Sequence, residues 1–306
     1  MILAVCLNPA LDVTYDVDVL VPGATHRVRS VRERAGGKAA NVAHVLTQLG
    51  DEVALFGFAG GSRGERFRSA LGSVHDRFTC IQGETRQSVA VVDADDVTVL
   101  NEPGPEVAAQ EWEALLDAFT AALPAARAVV LAGSLPSGLP EDAYAQLIRL
   151  ARQADRPTVL DTGGPQLLAA LAERPTVAAP NHHEAAEALG SPLPGPDEAL
   201  VAAADLSGRS GGTVVVSVGR DGLVAATPQH RWRAAPPRVL AGNATGAGDA
   251  LTAALVRGVV DGRWLPEVLA DAVALSGAAV VRPTAGEVDR DTFDELRPLC
   301  RVEEVA

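Results

Sequence analysis

The sequence predicts an α/β protein, a mostly parallel β-sheet sandwiched by helices, carrying a small β appendage. Three observations support this. Apolar runs of strand length recur and are nearly continuous rather than alternating, as expected of strands covered on both faces. Helical patterns lie between them, the alternation that builds parallel sheets. Two segments break that alternation and read as antiparallel hairpins.

In chain order, ILAVCL at 2–7 is the first strand, and residues 12–34 read as strand, Pro22-Gly23 turn, strand. AANVAHVLTQLG at 39–50 is helical and EVALFGF at 52–58 extended. Residues 86–101 form the second hairpin, turning at Asp95 and Asp96. QEWEALLDAFTAAL (110–123), EDAYAQLIRLARQ (141–153) and GPQLLAALAE (164–173) are helices. They alternate with the strands AVVLAG (128–133), TVLD (158–161), TVAAPN (176–181) and TVVVSVG (213–219). From 265 onward LPEVLADAVALSGAAVV is a closing helix. No linker or repeat divides the chain, which predicts a single α/β body over 1–306 with a lid made of segments at about 12–34 and 86–103. In such sheets ligands gather at the carboxyl ends of the strands.

The formal net charge of −13 argues against nucleic acid and anionic membranes as partners. No apolar run approaches the roughly 18 to 20 residues that span a bilayer, and the N-terminus has no basic leader, which together predict a cytoplasmic protein. Cys6, Cys80 and Cys300 are far apart and form no CxxC, so they are expected to be reduced and buried. With aromatics at only 4%, Ala, Val and Leu are expected to fill the core.

Several chemistries are excluded by missing motifs. Gly37-Lys38 has Arg32 where a P-loop needs its first glycine and Ala39 where it needs a hydroxyl. HExxH and GxSxG are absent. Gly246-Ala247-Gly248 begins a GxGxxG, but Leu251 takes the third glycine position and the run lies far from the first βα unit.

What remains are glycine-led helix starts. NATGAGD at 243–249 brings small residues into Asp249 and then an apolar helical run. Asp249 is either an ordinary first-turn acid or a proton acceptor beside an anion site. AGGKAAN at 35–41 adds Lys38 and Asn41 to a second such start, which suits an anionic or polyhydroxyl ligand as well as a tight turn with a solvated lysine. Arg27, Arg29, Arg32, Arg34 and Lys38 face only Glu33 in sequence, a local positive stretch in an acidic chain that suits a small anion or a charged outer surface. In NHHE (181–184), adjacent histidines make a poor metal pair. Asn181 and Glu184 are spaced either to hold a hydrated Mg²⁺ or to cap their own helix. SVGRDG, Ser217 to Gly222, is a strand end that suits nucleotide approach or a plain Asp-Gly turn.

Taken together, CLNPALD (6–12), AGGKAANVAHVLTQLG (35–50), TRQS (85–88), NEPGPE (101–106), GSLPSG (133–138), PNHHE (180–184) and NATGAGD resemble, in order, the ribokinase or phosphofructokinase B family of carbohydrate kinases. LNPALD, the Thr85-Arg86 pair and NEPGPE are most similar to its 1-phosphofructokinase and tagatose-6-phosphate kinase branches. The resemblance implies a ribokinase-like fold and ATP-dependent phosphorylation of a ketohexose phosphate. Fructose 1-phosphate, giving fructose 1,6-bisphosphate, comes first, with tagatose 6-phosphate or fructose 6-phosphate as alternatives.

It further implies Asp249 as base and the backbone of Gly246, Ala247 and Gly248 as anion hole. Asp12, Gly37 and Asn41 would hold the sugar, and Lys38 with Arg86 its phosphate. Ser217, Val218, Gly219, Arg220, Asp221 and Gly222 would hold ATP, and Asn181 with Glu184 would organise Mg²⁺. Four positions depart from the family pattern: Ala39 replaces a glycine, Ala179 a lysine, and Ser88 with Ala90 an Asn and a Lys. Ala179 motivates a reading of another class, a sugar-phosphate sensor without catalysis. The exposed lid edges suggest a homodimer.

Overall fold

A computed structural model describes residues 1–94 and 97–305. The strands are β1 (Ile2–Cys6), β2 (Ala10–Asp16), β3 (Ser30–Gly36), β4 (Val53–Ala59), β5 (His75–Cys80), β6 (Arg86–Val92), β7 (Val97–Asn101), β8 (Ala128–Ala132), β9 (Thr158–Asp161), β10 (Val177–Ala178), β11 (Thr213–Ser217), β12 (Leu223–Ala226), β13 (Arg231–Ala235) and β14 (Arg301–Val305). The helices are α1 (Lys38–Gln48), α2 (Gly61–Ser69), α3 (Ala109–Ala122), α4 (Ala143–Gln153), α5 (Gly164–Leu171), α6 (His182–Leu189), α7 (Pro196–Ser210), α8 (Ala247–Val260), α9 (Leu265–Val280) and α10 (Arg290–Leu296).

Among the described residues the main sheet runs β14-β13-β12-β11-β10-β9-β8-β1-β4-β5. It is parallel from β5 to β11, and β12, β13 and β14 extend it antiparallel. The chain enters at β1, builds outward through β4 and β5, then returns to the other side at β8. That reversal is a topological switch point, where adjacent strands send their connections to opposite faces and leave a crevice.

Alternate residues of β1 feed two cores. Ile2, Ala4 and Cys6 join the layer under α1, α8 and α9, while Leu3, Val5 and, just past the strand, Leu7 join the layer under α3, α4 and α7. Ala, Val and Leu dominate both, but Phe56, Phe58, Phe67, Phe119 and Tyr144 are among the largest fully buried side chains, so the few aromatics are concentrated inside.

The second sheet runs β3-β2-β6-β7. Both hairpins pair within themselves, and β2 joins them by pairing parallel with β6. The turn expected at Asp95 and Asp96 lies outside the described residues. The expected strand at 176–181 shrinks to two residues because Pro180 has no N–H for the ladder and Asn181 already caps the next helix. The strands of the antiparallel extension carry no long apolar run, and β14 is largely exposed, which is why apolar periodicity did not mark them.

Among the cysteines only Cys6 is buried; Cys80 is exposed on an edge strand and Cys300 is intermediate, a correction to the expectation of three buried thiols. Among the described residues no helix is long and apolar enough to cross a membrane.

Candidate active site

At the carboxyl ends of the parallel strands, around the switch point, a cavity of about 360 Å³ opens between the main sheet and the lid. Asp161 ends β9, Ser217 ends β11, and Asn181 follows β10, so three neighbouring strands deliver polar side chains to one floor. α1 and α8 begin there. Arg86, Ser88, Val99 and Asn101 of the lid strands β6 and β7 form the roof.

The start of α8 is built without a side-chain cap. Its N-cap, Gly246, has φ 85°, and a Cβ there would stand 2.6 Å from the Ala285 Cβ, so only glycine fits. The Ala247 N–H is used in a turn, donating to the Ala244 carbonyl at 3.2 Å, so it is not free to bind an anion as the family resemblance implied. The Gly246 and Gly248 N–H groups show no partner among the described residues.

Asp249 stands third in the helix and is buried, with Oδ2 accepting a 2.8 Å hydrogen bond from Asn41 Nδ2. Burial, then the Asp161 carboxylate, pushes Asp249 up to about 7, with Lys38 and Asn41 pulling the other way. A carboxylate so placed exchanges a proton near neutral pH.

Lys38, at the start of α1, bridges two acids rather than standing free in the cavity. Its Nζ donates to Asp161 Oδ1 at 2.7 Å and to Glu184 Oε1 at 2.5 Å. These carboxylates outweigh the cost of burial and hold the ammonium charged, well above its ordinary range. Thr252 Oγ1 donates to the other Asp161 oxygen at 3.1 Å. Motif reasoning missed Asp161, although an acid closing the TVLD strand is a signal in itself, because ligands collect at strand carboxyl ends. α1 starts on Gly37, φ 104°, where a side chain would meet Cys6 Sγ at 2.9 Å. Ala39 sits inside the helix without positive φ, so replacing a glycine there costs no strain.

On the lid side Asp12 lies against Gly36, whose missing side chain leaves the space its carboxyl fills. Burial raises Asp12 to about 6 against the pull of Arg34 and Arg86. Arg86 is anchored by the carbonyls of Asn8 at 3.1 Å and Glu102 at 3.4 Å, which leaves other guanidinium donors for a ligand. Of the basic stretch, Arg27, Arg29 and Arg32 lie outside, Arg29 paired with Asp18, and Arg34 turns in to donate to Asn41 Oδ1 at 3.0 Å.

A second cavity of about 450 Å³ adjoins the first and shares Asn181, Ser217, Gly248 and Leu251 with it. Leu223, Val239, Leu240, Val273 and Val280 give it an apolar wall, and Arg220 and Arg238 bring positive charge to its edge. Its size and its mixture of apolar wall and sparse polar groups suit a flat heteroaromatic ligand with an anionic tail, so the residues fit a nucleotide. From the 217–222 turn, Ser217, Gly219, Arg220 and Gly222 line it; Val218 is buried and Asp221 is not among its lining residues. Ala179, the residue after β10, lines the first cavity and brings no cation to it. Arg238, in the loop after β13, was not marked by any motif.

α6 starts in the opposite manner to α8. Asn181 Oδ1 accepts from the N–H groups of His183 (2.9 Å) and Glu184 (3.0 Å), and Glu184 Oε2 accepts from the Asn181 N–H at 2.9 Å, a reciprocal capping box. The Asn181 oxygen is thereby saturated, a correction to its reading as a metal residue. Glu184 keeps one lone pair on each oxygen, which fits a Mg²⁺ held through its water shell rather than by direct ligation. Among the described residues no three His, Cys, Asp or Glu side chains are grouped to hold a metal.

Comparison with known proteins identifies the family. Residues 5–291 match the model of the pfkB family of carbohydrate kinases. A 1-phosphofructokinase of Xanthomonas campestris is 39% identical over 268 residues, covering 85% of this chain and 84% of that protein. The tetrameric inhibited form of phosphofructokinase-2 from Escherichia coli superposes with a TM-score of 0.89 at 26% identity, over 97% of this chain and 98% of the other. A ribokinase of Arabidopsis thaliana complexed with ribose and ATP shares the fold, with a TM-score of 0.74 at 21% identity over 97% of this chain and 98% of that one. With its ribokinase-like sheet and lid and a site built on the starts of α1 and α8, the chain belongs to the pfkB family of carbohydrate kinases.

Proposed function

We propose that the chain transfers the γ-phosphoryl group of ATP to the free primary hydroxyl of a ketohexose phosphate, with fructose 1-phosphate as preferred acceptor. One observation carries the reading: two cavities, one polar and lid-covered, one apolar-walled, meet at the start of α8, where Asp249 and open backbone N–H groups stand together. The likeness to a 1-phosphofructokinase supports the choice of acceptor.

In this mechanism Asp249 accepts the proton of the hydroxyl while that oxygen bonds to the γ-phosphorus. The bond to the β-bridging oxygen breaks, and its electron pair leaves with ADP. Phosphoryl transfer needs placement and charge stabilisation more than covalent chemistry. The Gly246 and Gly248 N–H groups and the positive end of α8 face the developing charge. Mg²⁺, when bound, neutralises charge on the nucleotide's phosphate oxygens, and Glu184 orients its waters. Asp12 and Asn41 hold sugar hydroxyls. Arg86 is the main partner of the acceptor's own phosphate, because Lys38 already spends two of its three donors on Asp161 and Glu184. Arg220 and Arg238 take the place of the lysine missing at Ala179 toward the nucleotide's phosphates.

A coupled ADP-release assay over fructose 1-phosphate, fructose 6-phosphate, tagatose 6-phosphate, ribose and adenosine tests the acceptor. The expected order puts fructose 1-phosphate first, and preference for an unphosphorylated sugar or nucleoside would overturn the proposal. Tight sugar-phosphate binding with no ATP-dependent product would favour a sensor.

A further inference from the structure

Arg34 has no place in the reading above, yet it stands near the end of the lid strand β3 and reaches the base through one intervening side chain. Its Nη2 donates to Asn41 Oδ1 at 3.0 Å, and Asn41 Nδ2 donates to Asp249 Oδ2 at 2.8 Å. An Asn amide is nearly symmetric in shape, so its two ends exchange unless the surroundings distinguish them. Arginine offers donors only. Whichever end of the amide faces Arg34 must therefore be the oxygen, and the end facing Asp249 must be the NH₂.

We propose that Arg34 is a positioning residue for Asp249: it locks the Asn41 amide with its donor end toward the carboxylate, so that Asp249 stands ionised with its free oxygen toward the acceptor hydroxyl. This rests on Asp249 being the base. With the amide reversed, its oxygen would face Asp249 and favour the protonated acid, which cannot take the hydroxyl proton. The lid strand thus sets the state of a base on α8.

The surroundings are built for this contact. Gly286, φ 73°, passes so close that a Cβ would lie 2.7 Å from Arg34 Nη2 and 3.2 Å from the Asn41 Cα. Gln48 Nε2 donates to the Gly286 carbonyl at 2.6 Å and ties that loop to α1. The charged and titratable groups facing Asp249 are Asp161 from β9, Lys38 from α1, Glu184 from α6, Arg34 from β3 and the Cys6 thiol from β1. Around Arg34 itself stand Asp12 from β2, His44 from α1 and Glu287 beyond α9. His44 is pushed down to about 4, first by burial and then by Arg34, so it stays neutral through the range in which Asp249 titrates.

The test is the pH profile of kcat/KM for fructose 1-phosphate in the wild type, Arg34→Gln, Arg34→Lys and Asp249→Asn. A glutamine can present either end to Asn41, so Arg34→Gln is expected to move the acid limb up by about one pH unit, losing roughly tenfold at pH 6 and far less at pH 9. Arg34→Lys, also donor-only, keeps the limb within about 0.3 of the wild type even where kcat falls. Titration of the substrate's phosphate is common to all variants and cancels. Equal loss at every pH, or an unmoved limb in Arg34→Gln, overturns the role. Should melting curves show that variant unfolded, Gly286→Ala displaces the same guanidinium and must move the limb in the same direction. Near-normal turnover in Asp249→Asn would sink the base assignment itself; an inactive Asp249→Asn beside an unmoved Arg34→Gln limb removes Arg34 alone.

Discussion

Two helices begin on the floor of the same cavity, and both carry an acid as their third residue: Glu184 in α6 and Asp249 in α8. Their fates differ because their N-caps differ. Asn181 supplies an oxygen that satisfies two N–H groups, and the longer Glu184 side chain folds back to complete the box, so α6 closes on itself. Gly246 supplies nothing, and the shorter Asp249 reaches Asn41 instead, so α8 stays open toward the cavity. An acid near a helix start is thus locked into its own cap in one case and left facing the cavity, where the proposed mechanism uses it as base, in the other. The residue at the cap decides which.

The largest expected effect comes from the open helix. Asp249→Asn should lower kcat by at least about 10² while leaving ATP binding in place. Near-normal kcat would remove the contrast between the two acids. Next, Gly246→Ala forces a side chain into positive φ and against Ala285. The N–H groups are then misplaced, and a loss near 10²-fold in kcat is expected from steady-state kinetics. If activity were unchanged, the bare start would have no part in transfer.

The same acid predicts a stability cost. The folded state holds Asp249 near 7 against an ordinary 3.8, so it binds more protons than the unfolded chain between those values, and stability falls as pH rises through that window. Asp249→Asn should therefore be more stable than the wild type at pH 8, by roughly 2 to 4 kcal/mol, with the gain shrinking toward pH 4. Denaturant titration at both pH values checks this, and a constant difference would contradict it.

In the closed helix, Asn181→Ala removes a cap and should cost about 1 kcal/mol of stability, measured by the same titration. No loss would mean that the capping box of α6 is incidental. Smallest in effect on the site is association. β3 and β7 are the lid's edge strands and expose Val31 and Leu100, so pairing of two lids is expected to give a dimeric mass in solution at micromolar protein. A monomer would show that these edges stay unpaired.

The parallel core was legible because strands buried on both faces leave continuous apolar runs, as in AVVLAG and TVVVSVG. The antiparallel edge was not, since β14 is short, charged and exposed. At the site, glycines marked the starts of α1 and α8, and every residue named for the acceptor side lines one cavity: Asp12, Gly37, Lys38, Asn41 and Arg86. Lys38 was read as a free phosphate ligand because its two partners lie 123 and 146 residues away and no local pattern reveals them.

By itself the sequence determined the layered α/β architecture and the glycine-led starts of α1 and α8, because burial periodicity and glycine's conformational freedom act over a few neighbouring residues. Only the tertiary structure decided that Asp161 would claim Lys38, that Arg34 would turn inward while Arg27, Arg29 and Arg32 of the same segment stay outside, and that Asn181 would serve as a cap. These outcomes depend on which groups meet across the switch point. Electrostatic pairing and desolvation are properties of that meeting in space and leave no periodicity in the chain.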